Sequence, residues 1–104
     1  MDRDQLLDRV KKSVRDVEPD AEIILYGSRA RGDETRESDW DFLVLVDGSL
    51  DEDRTDKIRH CLYDIEWECG EVLSCIVRTH EEWESSLYKT MPLYKSVKSH
   101  GILL

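Results

Sequence analysis

Two aspartates, Asp39 and Asp41, are separated by one residue at the start of an apolar run that continues to Val46. In a β-strand the side chains at positions i and i+2 leave from the same face. We therefore expect the two carboxylates to share a face, with their Cα atoms about 7 Å apart. Such carboxylates repel each other unless a cation lies between them, and Mg²⁺ is commonly held by one or two carboxylates together with substrate phosphates. The pair predicts a site for a divalent metal ion.

A glycine and a serine, Gly27 and Ser28, precede Asp39 with ten residues between Ser28 and the aspartate, and they follow the apolar run 23–26. Glycine allows the backbone to approach a phosphate closely, and Ser28 offers a hydroxyl and an N–H at a predicted helix start. We expect Ser28 to N-cap a short helix that ends at Gly32. The predicted unit is a strand, a turn that can hold a phosphate, and a return strand that carries the aspartates.

Residues 27–32, Gly-Ser-Arg-Ala-Arg-Gly, and the Asp-x-Asp at 39–41 resemble the DNA polymerase β-type nucleotidyltransferase superfamily. The form with two arginines resembles its smallest members, the minimal nucleotidyltransferase (MNT) domains. The specific motif occupies residues 23–46, and a general resemblance extends over roughly 2–100. The resemblance implies Mg²⁺-dependent transfer of a nucleoside monophosphate, such as AMP from ATP, to a hydroxyl group with release of pyrophosphate. The competing interpretation is an acidic hairpin end with turn glycines and solvated aspartates.

The resemblance also implies roles for individual residues. Asp39 and Asp41 would be the shared ligands of two Mg²⁺ ions, and Gly27 and Ser28 would cradle the β- and γ-phosphates of the NTP. Either Arg29 or Arg31 would neutralise phosphate charge in the transition state. The alternative for each arginine is a solvated position in the loop, paired with surface acids.

The family uses a third carboxylate on a neighbouring strand as metal ligand and base, and here the sequence departs from the pattern. The predicted third strand carries no aspartate in its middle. Ser74 is one candidate for the third position, and Glu71, at the entry to the strand, is the nearest acid in sequence. A missing third carboxylate would weaken the metal site and the activation of the acceptor hydroxyl without abolishing NTP binding.

The pattern of the whole chain predicts an α/β (α+β) fold: a small mixed three-stranded sheet covered by helices, as in the polymerase β-like nucleotidyltransferases. Helices are predicted over 2–17, 50–69, 80–90 and 92–100, with a short one over 29–31, and strands over 21–26, 40–46 and 71–78. Three strands cannot bury both sheet faces by themselves, so helices must cover them. The apolar tail 102–104 is expected either to pack on the domain or to offer a contact for another chain.

Several local signals complete the prediction. Leu6, Leu7, Val10, Val14 and Val17 form an apolar stripe on the first helix, and Ile58, Leu62, Ile65 and Cys69 form one on the long helix, which Gly70 should end. Trp67 lies off this second stripe and is expected to complete the core. Thr79 and Glu82 match a capping box. Cys61, Cys69 and Cys75 lack the spacing of a zinc site and are expected to be free thiols.

The length and net charge of the chain limit the functions that it can have. A chain of 104 residues is expected to form one domain, residues 1–104. Its 15 basic and 24 acidic residues give a formal charge of −9, which disfavours tight binding of nucleic acid and suits a basic partner. The charged N-terminus resembles no signal peptide, and no apolar run reaches membrane-spanning length, so a cytoplasmic location is expected.

Three functional hypotheses remain. Many MNT domains are antitoxins that adenylylate a HEPN ribonuclease toxin, so the first hypothesis is transfer of AMP from ATP to a hydroxyl of such a protein partner. The second is a catalytically weak or inactive binding module that masks its partner by contact. The third is transfer to a small hydroxylated molecule such as an aminoglycoside, which the short chain disfavours unless a dimer supplies the second wall of the site.

Overall fold

The computed structural model describes the whole chain, Met1 to Leu104. Ten elements follow one another: α1 (Arg3–Val17), β1 (Glu22–Tyr26), α2 (Ser28–Arg31), β2 (Trp40–Val46), α3 (Glu52–Cys69), β3 (Leu73–Thr79), α4 (His80–Trp83), α5 (Ser86–Lys89), α6 (Pro92–His100) and β4 (Ile102–Leu103). The predicted mixed sheet with helices is confirmed. None of the helices combines the length and apolar character that a bilayer crossing would need.

The sheet has four strands in the order β3-β2-β1-β4, one more than predicted. β2 runs parallel to β3 and antiparallel to β1, and β4 pairs antiparallel with β1. The additional strand has only two residues, and the Leu104 N–H extends the pairing by donating to the Ile23 carbonyl at 2.9 Å. A strand of this length has no detectable period, and its partner lies far away in sequence, so local pattern could not reveal it.

One face of the sheet carries the larger part of the core. Trp40, Phe42, Val44 and Val46 alternate along β2 and pack against α1 and α3. The two helices supply the predicted stripes, Leu6, Val10 and Val14 from α1 and Ile58, Leu62 and Ile65 from α3. Val17, predicted to face inward, is exposed at the end of α1.

The opposite face carries a smaller apolar cluster. Leu43 and Leu45 of β2 meet Trp83 of α4 and Val97 of α6 there. Because side chains alternate along a strand, Asp41 belongs to this face. The helices at the C-terminal end of the chain therefore cover the same side of the sheet that presents the aspartate.

Capping residues and glycines account for most of the helix ends. The Thr79 hydroxyl accepts the Glu82 N–H at 3.0 Å and the Glu82 carboxylate accepts the Thr79 N–H at 3.1 Å, so the predicted capping box is confirmed. Gly70 ends α3 in the left-handed region, with φ 72°. The helix predicted over 80–90 is divided into α4 and α5, because Ser85 adopts an extended conformation and caps a second helix.

The expected burial of Trp67 is wrong, because its side chain is 77% exposed. Trp67 follows Ile58 by nine residues, which is about two and a half helical turns and places it opposite the buried stripe. The three cysteines are free and partly buried. Burial raises the pKa of Cys75 to about 12.

Candidate active site

The glycine–serine turn joins the end of β1 to the start of α2. Gly27 is the N-cap residue and Ser28 the first helical residue, which corrects the expectation that Ser28 caps. The Gly27 carbonyl accepts the N–H groups of Ala30 and Arg31 at 3.1 and 3.0 Å, and Gly27 has φ 75°. A Cβ atom at Gly27 would overlap Asp41 Oδ2. Only glycine therefore allows the turn to lie this close to the carboxylate.

The two aspartates lie beside this turn. Asp41 pairs with Tyr26 across the antiparallel β1–β2 ladder, and Asp39 precedes the first residue of β2. Burial raises the pKa of Asp41, the Asp39 carboxylate raises it further, and Arg31 acts in the opposite direction. The predicted approach of Gly27, Asp39 and Asp41 is thus present, and the Asp39 carboxylate opposes the ionisation of Asp41.

A serine is the neighbour of Asp41 on the third strand. The parallel ladder pairs Asp41 with Ser74, so Tyr26, Asp41 and Ser74 form one row across three strands on one face. Glu71 lies before β3, where its Oε1 is 3.6 Å from Arg29 Nη2, so it serves as a partner of that arginine. The chain contains no group of three histidine, cysteine or acidic side chains placed to hold a metal ion.

A magnesium ion fits the residues that are present. Two adjacent carboxylates repel each other at this point. Ser74 lies beside Asp41 on β3, and Ser28 follows the glycine that lies against Asp41, so two hydroxyls add to the hard oxygen donors that Mg²⁺ prefers. The glycine that leaves room beside Asp41 gives the backbone access to an anion on the metal. With two protein carboxylates in place of three, such an ion would depend on its phosphate ligands.

Arg29 links the parts of the site. Its Nη2 and Nε atoms donate to the Ser38 carbonyl at 3.0 and 3.3 Å, and its guanidinium lies 4.4 Å from the centre of the Trp40 ring. Together with the Glu71 contact, this leaves only 12% of the side chain exposed. These contacts join α2 to the residue before Asp39 and to the entry of β3. Because these contacts occupy its guanidinium, Arg29 is better placed to position the aspartates than to contact a nucleotide.

Arg31 has the opposite character. Its side chain is exposed at the end of α2, and its single ion pair, from Nε to Asp33 Oδ2 at 3.3 Å, is also exposed. Exposed pairs of this kind restrain an arginine weakly. Since Arg31 also lowers the pKa of Asp41, its charge reaches the carboxylate pair. Of the two arginines, Arg31 is the one free to meet a phosphate at this site.

Tyr26 is a site residue that the sequence analysis missed. It is half-buried beside Asp41, and burial, with the Asp41 charge adding to it, raises its pKa to about 12. The available clue was its place directly before Gly27, at the end of an apolar strand. His80, by contrast, lies away from the site and contacts Glu22 and Asp47, at 2.6 and 2.8 Å.

The chain is similar to known proteins in sequence and in fold. The sequence model described as "Nucleotidyltransferase domain" matches residues 7–103. A toxin–antitoxin structure with AMP-PNP superimposes with a TM-score of 0.65 at 22% identity, over 92% of this chain and 69% of the other. A double aspartate-to-glutamate mutant of the MntA-HpeT toxin–antitoxin gives 0.65 at 20% over the same shares, and a tyrosine-to-alanine mutant gives 0.64 at 22% over 94% and 70%.

These structural likenesses establish a shared fold, and a comparison with curated proteins finds no match. The match to the sequence model covers nearly the whole chain and includes the glycine–serine turn, both aspartates and the third strand. The chain belongs to the nucleotidyltransferase domain family.

Proposed function

We propose that residues 1–104 form one domain that transfers a nucleoside monophosphate, AMP from ATP, to a hydroxyl group of a partner protein. The observation that carries the proposal is the close approach of the Gly27 backbone to the Asp41 carboxylate, with Asp39 beside it. A turn that can receive phosphates and a carboxylate pair that favours a cation meet at one point. A magnesium–triphosphate complex satisfies both requirements.

Each residue has a role in this proposal. Asp39 and Asp41 hold Mg²⁺, which when bound withdraws negative charge from the phosphate oxygens. The Ser28 hydroxyl and the backbone beside Gly27 hold the β- and γ-phosphates. Arg31 neutralises charge on the phosphates, and Arg29 fixes the backbone before Asp39. Tyr26 and Ser74 flank Asp41 on its two neighbouring strands.

The transfer is an in-line displacement at the α-phosphorus. The acceptor's hydroxyl oxygen forms the new P–O bond while the bond to the bridging oxygen breaks and pyrophosphate leaves. The hydroxyl proton passes to water, because Ser74, the neighbour of Asp41 on β3, carries no carboxylate to receive it. General-base catalysis is typically worth about 10²–10⁴-fold, so this domain should be slower than one with a third acid.

A protein is the acceptor that fits the chain best. The formal charge of −9 disfavours an RNA substrate and suits a basic partner. The similar folds come from toxin–antitoxin structures, one of them with AMP-PNP. We therefore place the domain as the antitoxin of a toxin–antitoxin pair, with a HEPN-type ribonuclease as the acceptor. Free cysteines suit the reducing cytoplasm in which such a pair would act.

The decisive experiment combines the chain with α-labelled ATP, Mg²⁺ and the protein encoded by the adjacent gene. Label should appear on the partner and should be lost when Mg²⁺ is chelated or when Asp39→Asn and Asp41→Asn are combined. The matched control carries Glu37→Gln, which removes an exposed acid in the loop that leads to Asp39. Transfer that persists in the double variant would exclude these aspartates as the metal ligands.

A second function, masking of a partner without transfer, is favoured by one observation: the neighbour of Asp41 on β3 is Ser74, and no group of three histidine, cysteine or acidic side chains is placed to hold a metal ion. In that case the partner would be neutralised equally well in the absence of Mg²⁺ and by the double aspartate variant. Loss of neutralisation under either condition would exclude masking as the whole function.

A further inference from the structure

The two aspartates of the site are held in different ways. Asp41 belongs to β2 and is paired across the ladders with residues of β1 and β3. Asp39 lies before the first residue of β2, and no ladder pair includes it. Because the sheet does not fix a side chain that lies outside its strands, the position of Asp39 depends on what holds the backbone on each side of it. Its two neighbours are Ser38 and Trp40.

The backbone after Asp39 is held by the connection between α3 and β3, residues 70–72. The Trp40 N–H donates to the Val72 carbonyl at 2.9 Å. The connection is anchored in turn, because backbone N–H groups at its two ends donate to the carbonyl and the side chain of Glu66, at 2.8 and 2.9 Å. The Val72 carbonyl is therefore a fixed acceptor for the residue that follows Asp39.

The backbone before Asp39 is held by Arg29, whose Nη2 and Nε atoms donate to the Ser38 carbonyl at 3.0 and 3.3 Å. Only 12% of the Arg29 side chain is exposed. A guanidinium enclosed to this extent is costly unless a carboxylate balances its charge. Glu71 supplies that carboxylate, with its Oε1 atom 3.6 Å from Arg29 Nη2. The α3–β3 connection thus supports the backbone on both sides of Asp39, through the Val72 carbonyl and through Glu71.

Glu71 makes this contact on the side of β2 that faces away from Asp41. Trp40 packs into the core beneath α1 and α3, and Asp41 points to the opposite face because side chains alternate along a strand. Arg29 lies over the Trp40 ring, 4.4 Å from its centre, and Glu71 meets Arg29 there. The Glu71 carboxylate is therefore paired behind the aspartates, and it does not complete a group of three metal ligands with them.

We propose that Glu71 is a positioning residue for Asp39. By balancing the charge of Arg29, it keeps the guanidinium on the Ser38 carbonyl and so fixes the direction in which Asp39 leaves the backbone beside Asp41. Contacts that orient a metal ligand from outside its coordination shell commonly affect metal affinity. Glu71 then acts through Arg29 and does not touch the ion. This deepens the proposed function and rests on it in taking both aspartates as ligands of Mg²⁺.

The first test titrates Mg²⁺ alone into the full chain and follows the amide resonances of Asp39 and Asp41. Glu71→Gln should raise the dissociation constant for Mg²⁺ about threefold, because the ion pair that it breaks is partly exposed. Glu68→Gln is the matched control, since it removes the same charge and breaks an ion pair with Arg9, at 2.8 Å, between α3 and α1. The control should leave the affinity for Mg²⁺ unchanged.

The second test separates positioning from direct coordination. Arg29→Met should weaken Mg²⁺ binding about tenfold, and adding Glu71→Gln to it should have no further effect, because the route from Glu71 to Asp39 is then gone. In the metal-free chain, Glu71→Gln alone should shift the indole N–H resonance of Trp40, over which Arg29 lies. Loss of a metal ligand could not cause this shift in the absence of metal, and the measurement does not require Arg29→Met to fold.

Three outcomes would overturn the proposal. An unchanged affinity for Mg²⁺ in Glu71→Gln would show that the contact has no influence on the site. An equal loss in Glu68→Gln would assign the effect to net charge. A loss of the same size with and without Arg29 would make Glu71 a metal ligand. A wild-type chain that binds Mg²⁺ at the aspartates and responds to Glu71→Gln as expected, but transfers no label, would count against the proposed function alone.

Discussion

Asp41 and Ser74 occupy paired positions on adjacent parallel strands and point to the same face of the sheet. The pairing places a hydroxyl-bearing side chain beside the half-buried Asp41, and Ser74 itself is exposed. A carboxylate at this one position would form a row of acids with Asp39 and Asp41. One substitution can therefore test what a carboxylate at this position would do.

We expect Ser74→Asp to raise the rate of AMP transfer by about 100-fold, because it supplies a base for the acceptor hydroxyl. The variant should also reach half its maximal rate at a lower Mg²⁺ concentration, because it supplies a third metal ligand. Steady-state transfer of label measured against Mg²⁺ concentration checks this. Ser74→Asn, which has similar size but no charge, should give no gain. Equal rates for the aspartate and asparagine variants would show that Ser74 does not stand at the third position.

Asp41→Asn should stabilise the chain in the absence of divalent cations, by less than about 1 kcal/mol. Burial and the Asp39 charge raise the pKa of Asp41, so the wild type loses stability as the pH rises through that raised value. The advantage of the variant should thus be present at neutral pH and vanish in acid, where Asp41 is protonated. Urea unfolding at several pH values measures it, with Glu37→Gln as an exposed control.

Addition of Mg²⁺ should make the wild type more stable than the aspartate variants. The ion binds the native wild type and raises its midpoint of thermal unfolding, whereas the Asp39→Asn and Asp41→Asn double variant should show no shift. A stabilisation by Mg²⁺ of equal size in both proteins would place the ion elsewhere on this acidic chain.

Substitution of Arg29 should lower stability, whereas substitution of Arg31 should weaken nucleotide binding. Arg29→Lys loses the fork that holds the Ser38 carbonyl and part of the contact with Trp40, so we expect a loss of about 2 kcal/mol in unfolding free energy. Arg31→Lys should leave stability unchanged and weaken ATP binding, measured by calorimetry. Arg36→Lys, at an exposed loop position, is the control. Equal stability of the Arg29 and Arg31 variants would contradict these assignments.

His80 should make the stability of the chain depend on pH. Burial acts to lower its pKa, but the carboxylates of Glu22 and Asp47 outweigh this and the pKa rises. The contribution of charged His80 is therefore complete below its unfolded pKa of about 6.5 and is lost as the pH rises through the higher folded value.

His80→Gln should accordingly lower the unfolding free energy by about 1 kcal/mol near pH 6 and by clearly less near pH 9. Denaturant titrations at the two pH values provide the measurement, and His100→Gln, at an exposed helix end, provides the reference. A difference that does not depend on pH would show that His80 acts through packing alone.

Local sequence patterns predicted most of the fold, since α1, β2 and α3 bury the stripes that their periodicity indicated. The misses have a common physical origin. The pairing of β4 with β1 joins residues far apart in sequence, and a two-residue strand leaves no pattern to detect. The expectation that Trp67 completes the core fails because its helical position, off the apolar stripe, lies on the outer face.

The site was predicted to a similar extent. The spacing of Gly27, Ser28 and the aspartates predicted which residues lie together, because a strand and its antiparallel return strand bring the turn beside the aspartates. The different contacts of Arg29 and Arg31 could not be predicted, because they depend on the position of Trp40 and of the Ser38 carbonyl in three dimensions. Tyr26 was missed because its importance follows from the register between β1 and β2.

The sheet separates a large apolar cluster beneath α1 and α3 from a small one beneath α4 and α6. Amide protons of the three C-terminal helices should therefore exchange with solvent before those of α1 and α3, because little buried surface restrains them. These helices cover the face of the sheet that carries Asp41. They can therefore open locally, or accept substitutions, while α1, α3 and the sheet stay folded. Such a division would let substitutions in the C-terminal helices alter the surroundings of Asp41 without unfolding the larger core.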